Sequence, residues 1–273
     1  MRGEMPTRFN KSPDRIMRYR RHLIAATEME CEIELGWMPL DAANTTSKLV
    51  QSELPPLSSW PIAEQSPNTN FENNPGLHAM LMNKVPRFGS GSKEAVDMAN
   101  RVTGLIHGSY KSIKNFRGGD YTVGFWSVAQ HVAYGTLSGA LPPGKLAHQP
   151  FTPGVTPHPS ASKNFLDNIR DVAGLNPHHM DNNIAFNVKL VPSAKDSREK
   201  TVNTMAAYVK SYFEQGGMQI QFNMVNSQVL KDAMENPGDY QNLLVRISGY
   251  NAYFVNLNRE MQLELIERTE YRL

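Results

Sequence analysis

Between residues 121 and 160 the chain carries five glycines (Gly124, Gly135, Gly139, Gly144 and Gly154) and six prolines (Pro142, Pro143, Pro150, Pro153, Pro157 and Pro159). Proline removes a backbone donor and glycine imposes no backbone preference, so no long helix or strand fits in this stretch. Regular structure has to lie to either side of it. A long ordered loop region in a compact domain is more often functional than incidental.

Upstream, Ser12-Pro13-Asp14 is a helix-start signature, and Ile16, Tyr19, Leu23 and Ala26 continue it at helical spacing over residues 12–35. The opposite face of that helix carries Arg15, Arg18, Arg21 and His22, and Glu28, Glu30, Glu32 and Glu34 follow at once, which reads as a solvated face. Five prolines then fall within residues 52–76 and mark a boundary. Val96, Ala99, Val102, Ile106 and Tyr110 predict a helix over about 92–114, ended by the turn chemistry of Arg117-Gly118-Gly119-Asp120.

The C-terminal third is the most regular part. Val202, Met205, Ala206, Val209, Tyr212 and Phe213 form a 3.6-residue stripe that stops at Gly216-Gly217. Met218, Ile220, Phe222 and Met224 alternate with Gln219, Gln221 and Asn223, predicting a half-buried strand whose polar face is made of amides. A short helix is expected from Ser227 to Glu235, broken by Asn236-Pro237-Gly238, and a last helix from the cap Asn258 to about Arg268. Between them, Ser248-Gly249 interrupts two largely apolar runs, Leu243–Ile247 and Tyr250–Val255.

Several chemistries have no support. With 28 Lys+Arg against 26 Asp+Glu the net charge is +2, which gives no electrostatic footprint for nucleic acid or an anionic membrane. No apolar run approaches the roughly 18 residues of a membrane span, and the first residues lack a signal-peptide core, so the chain reads as cytoplasmic. Cys31 is the single cysteine and sits among glutamates, whose field suppresses its thiolate. The loop histidines His148, His158, His178 and His179 lack metal-ligand spacing, and no phosphate-cradling or nucleophile-elbow motif is present. No bound cofactor or metal is expected.

What remains is Arg246-Ile247-Ser248-Gly249-Tyr250 with Ala252 after it; 24 residues follow Gly249, and they include Arg268-Thr269. This segment resembles the signature of the glycyl radical enzymes, the superfamily of pyruvate formate-lyase. Arg117-Gly118-Gly119, His131-Val132 with Gly135, Ser138-Gly139-Ala140 and Gly154-Val155-Thr156-Pro157 are similar to the family's loop region, and residues 216–223 to the barrel strand before its radical loop. Pro142-Pro143-Gly144-Lys145 and Leu244 depart from the family's pattern without touching the glycine. Matched segments cover roughly residues 70–273.

The resemblance implies an α/β fold, the C-terminal part of the glycyl radical enzyme barrel with its radical domain. It divides the chain into an N-terminal helical segment and linker (1–66), a partial barrel with long loops (67–200) and the radical domain (201–273). Gly249 is the implied catalytic residue. It would store a backbone radical installed by an activating enzyme that uses S-adenosylmethionine and an iron–sulfur cluster, in a buried loop that excludes oxygen behind Leu243, Leu244, Ile247, Tyr250, Tyr253 and Phe254.

Members of the family pass the radical to a cysteine in a Gly-Cys-x-Glu context. Cys31 lies 218 residues before Gly249 and has neither neighbour, so the chain reads as an incomplete or internally shortened member whose thiol would come from a cysteine-bearing partner chain. Tyr250–Val255 and Leu257–Gln262 look closest to the arylacetate decarboxylases, such as hydroxyphenylacetate decarboxylase, and to their dehydratase relatives. The alternatives are a pyruvate formate-lyase-type or dehydratase-type member, and a non-catalytic carrier that replaces the radical domain of a damaged enzyme.

Overall fold

Helix starts in this chain are set by short polar side chains that accept from orphan backbone N–H groups. In the computed structural model, which describes residues 70–72, 75–141, 145–161, 164–193 and 195–272, Ser92, Asn164, Ser197, Asn226 and Asn258 each cap a helix in this way. The helices are α1 (Pro75–Lys84), α2 (Lys93–Lys111), α3 (Gln130–Thr136), α4 (Phe165–Ala173), α5 (Arg198–Glu214), α6 (Ser227–Glu235) and α7 (Arg259–Glu267). The expected helix of residues 12–35, Cys31 and nearly all of the proline-rich boundary lie outside the described residues. Among the described residues of 121–160 there is one two-turn helix, α3, in keeping with their Gly and Pro content.

Three strands, β1 (Asn187–Val191), β2 (Gln221–Asn223) and β5 (Glu270–Arg272), form a parallel sheet in the order β2-β1-β5. Two more, β3 (Leu244–Arg246) and β4 (Asn251–Tyr253), pair as an antiparallel hairpin. The register places Asn187 beside Gln221, Lys189 beside Asn223 and Glu270, and Val188 beside Phe222. One face of the sheet is therefore apolar and the other polar. The apolar face packs on α2, α4 and α5 through Ile106, Ile169, Tyr212, Phe186, Val188 and Leu190, all nearly inaccessible to water. Each such side chain contributes roughly 1.5–3 kcal/mol on burial. The polar face is covered by the hairpin, α6 and α7, which enclose a second core around Leu230, Val245, Ile247, Phe254, Met261 and Leu265.

Two expectations need correction. The stripe on α5 is narrower than its sequence indicates. Tyr212 is buried, and Met205 and Tyr208 lean on the core, while Val202 and Phe213 are exposed because the helix meets its neighbours along one seam. The strand around Gln221 is shorter than expected and covered on both faces. Ile220 and Phe222 pack against the apolar core, Gln221 and Asn223 are buried as well because they have hydrogen-bonding partners beneath the hairpin, and Met218 and Met224, beyond the strand ends, are exposed.

Candidate functional site

Gly249 occupies the tip of the hairpin. The Ile247 N–H donates to the Tyr250 carbonyl at 3.0 Å and closes the turn, and Gly249 sits at φ +82°, in the left-handed region that side chains rarely adopt. A Cβ built there would stand 3.4 Å from two ring carbons of Trp126, so the indole closes off one side of the residue. Ile247 and Ser248 are buried beneath it.

Gly249 itself is exposed, and so are Leu244 and Tyr253. This corrects the expected buried loop. The apolar shoulders Ile247 and Phe254 do turn inward, but the turn protrudes past them, and among the described residues the lateral cover over the glycine is Trp126.

The hairpin is held on the sheet by the amides of β2. Asn223 grips the Arg246 backbone twice, accepting from its N–H at 3.1 Å and donating to its carbonyl at 2.9 Å. Gln221 Oε1 accepts from the Gly249 N–H at 3.2 Å and also from Arg246 Nε. Arg246 reaches onward to Asn251 Oδ1 at 3.2 Å. The sequence shows these amides as a polar face, but nothing in their spacing says that they address the glycine turn.

A buried charged network fixes the hairpin from α7. Arg268 binds Glu264 through two parallel bonds of 2.8 Å and donates a third to the Arg246 carbonyl at 3.2 Å. His131 Nε2 lies 3.6 Å from Glu264, and its Nδ1 meets Ser127 Oγ at 3.0 Å. Burial works to raise the Glu264 pKa, but the Arg268 guanidinium and His131 outweigh it and hold the carboxyl down at about 2. Lys189 plays the matching part on β1. Its ammonium donates to Ser227 Oγ at 2.6 Å and to the Leu265 and Ile266 carbonyls at 3.2 and 3.1 Å, at the C-terminal end of α7 where a cation is favoured. Burial nevertheless pushes its pKa down to about 8, with Glu270 opposing.

The candidate histidines do not converge. His178 and His179 form a single turn at Pro177–His179, where His179 contacts Thr103 at 3.1 Å and Asn176 at 3.0 Å. His148 contacts the Thr136 carbonyl and His158 contacts Ser160. Among the described residues no group of three or more His, Cys, Asp or Glu is placed to hold a metal ion, and no helix is long and apolar enough to cross a membrane. The site thus offers a backbone glycine held in a fixed peptide geometry and surrounded by hydrogen-bonding groups, with the one serine of the turn, Ser248, buried.

Residues 151–255 match the family model described as "Glycine radical", and residues 60–135 match the one described as "Pyruvate formate lyase-like". The trans-4-hydroxy-L-proline dehydratase of Clostridioides difficile is 30% identical over 203 residues, which is 74% of this chain and 26% of that protein. Its crystal structure with trans-4-hydroxy-L-proline bound superposes with a TM-score of 0.70, covering 75% of this chain and 26% of that one at 30% identity. The glycerol-bound B12-independent glycerol dehydratase of Clostridium butyricum gives 0.74 at 27% identity over 91% of this chain and 30% of that one. A Roseburia inulinivorans structure concerned with 1,2-propanediol dehydration gives 0.68 at 33% identity over 72% and 24%. The chain spans about a quarter of the length of the curated relative it matches.

Proposed function

The chain belongs to the glycyl radical enzyme superfamily and has the α/β architecture of that barrel and its radical domain, and from that premise we propose that Gly249 is where a backbone radical is stored. The observation that carries the reading is the hairpin itself. A glycine at φ +82° is presented at the tip of a turn whose first strand is anchored through the Arg246 backbone both to Asn223 of the sheet and to Arg268 at the end of α7.

Removal of one hydrogen atom from Gly249 Cα leaves one unpaired electron on that carbon. The centre is stabilised when it becomes planar and conjugates with the electron-donating amide nitrogen on one side and the electron-withdrawing carbonyl on the other. A Cβ would hinder both planarity and approach, so the residue has to be glycine. In this reading the hydrogen is taken by an activating enzyme that uses S-adenosylmethionine and an iron–sulfur cluster, and the hard chemistry is generated outside the chain. The protein's own residues hold the peptide, through Gln221, Asn223, Arg246 and Arg268, and cover one side of it with Trp126.

The radical then passes to a thiol. A hydrogen atom moves from sulfur to Gly249 Cα, restoring the glycine and leaving a thiyl radical. We assign that thiol to a cysteine-bearing glycyl radical chain, because Cys31 lacks the sequence context for the role. Docking of such a chain over the exposed turn would supply the cover that Trp126 leaves open. For the reaction class, relatives that act on hydroxylated substrates favour a radical dehydratase. Arylacetate decarboxylation is the second reading, favoured by the similarity of residues 250–262 to those enzymes.

Electron paramagnetic resonance after anaerobic activation tests the proposal. A glycine-centred signal in the wild-type chain, absent from Gly249→Ala, is expected. An activated wild-type chain without any such signal contradicts it. The activated chain by itself should form no product from trans-4-hydroxy-L-proline, glycerol or 1,2-propanediol, and turnover without a cysteine-bearing partner would contradict that part.

A further inference from the structure

Gln221 is 6% exposed and lies against Gly249, but its geometry is not that of a simple hairpin clamp. Asn223, two residues on, already fixes the hairpin register through both the N–H and the carbonyl of Arg246. Gln221 makes no bond of that kind. Its Oε1 receives two donors, the Gly249 N–H at 3.2 Å and Arg246 Nε. Because both neighbours can only donate, the oxygen and not the amide nitrogen has to face them. The Nε2 is left buried with no partner among the described residues, so the two donors to the oxygen alone fix the orientation of the amide.

We infer that Gln221 is the positioning residue for the radical at Gly249, its side-chain oxygen holding the glycine N–H so that the peptide plane stays conjugated with the radical carbon. This rests on the reading of Gly249 as the radical residue. In the planar radical the amide nitrogen gives electron density to Cα, so its N–H becomes more polarised than in the ordinary peptide. An acceptor fixed at that N–H is therefore bound more strongly by the radical than by the closed-shell glycine, and stabilises the radical selectively. The bond also restrains rotation about N–Cα, the motion that would remove the nitrogen from conjugation. Arg246 in turn orients the Gln221 amide, since its guanidinium is tied to Asn251 on the far strand of the hairpin.

Two variants of the full chain separate this role from a structural one. Gln221→Met keeps the length of the side chain and removes the acceptor, whereas Gln221→Glu keeps an acceptor and can still pair with Arg246. In the unactivated protein, hydrogen exchange at the Gly249 amide should speed up at least tenfold in Gln221→Met and stay near wild type in Gln221→Glu, with the Arg246 and Phe254 amides, which donate to Asn223 Oδ1 and the Leu243 carbonyl, protected in both. After anaerobic activation, Gln221→Met should show either no glycine-centred signal or one with altered hyperfine splitting and at least tenfold faster decay. Gln221→Glu should retain the wild-type splitting. Unchanged Gly249 exchange, an unchanged spectrum and lifetime in Gln221→Met, or loss of protection across the whole hairpin would each overturn the assignment to Gln221. A wild-type chain with no radical signal, by contrast, overturns the reading of Gly249, and the assignment falls with it.

Discussion

The two faces of the three-stranded sheet are built on opposite principles. Towards α2, α4 and α5, Val188 and Leu190 meet Ile106, Ile169 and Tyr212 in a core held by non-directional burial, where volume matters more than the identity of any one group. On the other face Asn187, Lys189, Gln221 and Asn223 are buried too, and Lys189 donates to α6 and α7 while Gln221 and Asn223 accept from the Gly249 and Arg246 N–H groups of the hairpin. Burial sets the shape of the first face. Hydrogen-bond geometry sets the second, and it is on the second that the peptide of Gly249 is positioned.

The comparison makes distinct demands on substitutions. Glu264→Ala on the hairpin side leaves Arg268 buried without its carboxylate and should cost about 3–5 kcal/mol. Hydrogen exchange should locate the damage in α7 and the hairpin and spare α2 and α4. Leu190→Ala, on the fully buried opposite side, should cost about 2–5 kcal/mol, and denaturant unfolding should then show a loss spread over the whole chain. If both variants loosen the same segments, the division between the two faces is wrong.

Acid should discriminate between the faces as well. The Glu264 carboxyl titrates near 2 in the folded chain and near 4.3 when unfolded, so the stability it contributes is fully present above the unfolded value and is lost as pH falls from there towards 2. Exchange in the hairpin and α7 should therefore rise over that window before the α2 core responds, and Glu264→Gln should flatten the dependence. The smallest effect is expected at the turn itself. Gly249→Ala meets no backbone, and its strain comes from φ +82° and the Trp126 ring, about 1 kcal/mol in thermal unfolding with the hairpin retained.

The contrast also explains what could be read from the residues alone. The helices Ser227–Glu235 and Arg259–Glu267 are legible because a capping Asn and an apolar stripe agree in each. The Gly249 turn is legible through its resemblance to a family signature. The strand Asn187–Val191 is not, because Asn187 and Lys189 break the apolar alternation as a solvent face would, and only the loop at Pro153–Thr156, which pairs with Asn187, and α6 and α7, which pair with Lys189, supply their reason for being inside. For the same reason Gln221 and Asn223 read as the wet side of their strand. Glu270–Arg272 is too short to signal a strand, and no local spacing connects Trp126 with Gly249 or Glu264 with His131, since those contacts arise from tertiary packing.

Cleavage by oxygen tests the central claim most directly. A persistent radical at Gly249 Cα combines with oxygen to give a peroxyl species, and its breakdown cuts the backbone at that residue. Mass spectrometry of the anaerobically activated chain after exposure to air should find a large fragment ending near Ser248 and a small one beginning near Tyr250, with Gly249→Ala intact under the same treatment. An activated wild-type chain that stays full length in air, or breaks elsewhere, would contradict the assignment of the radical to Gly249.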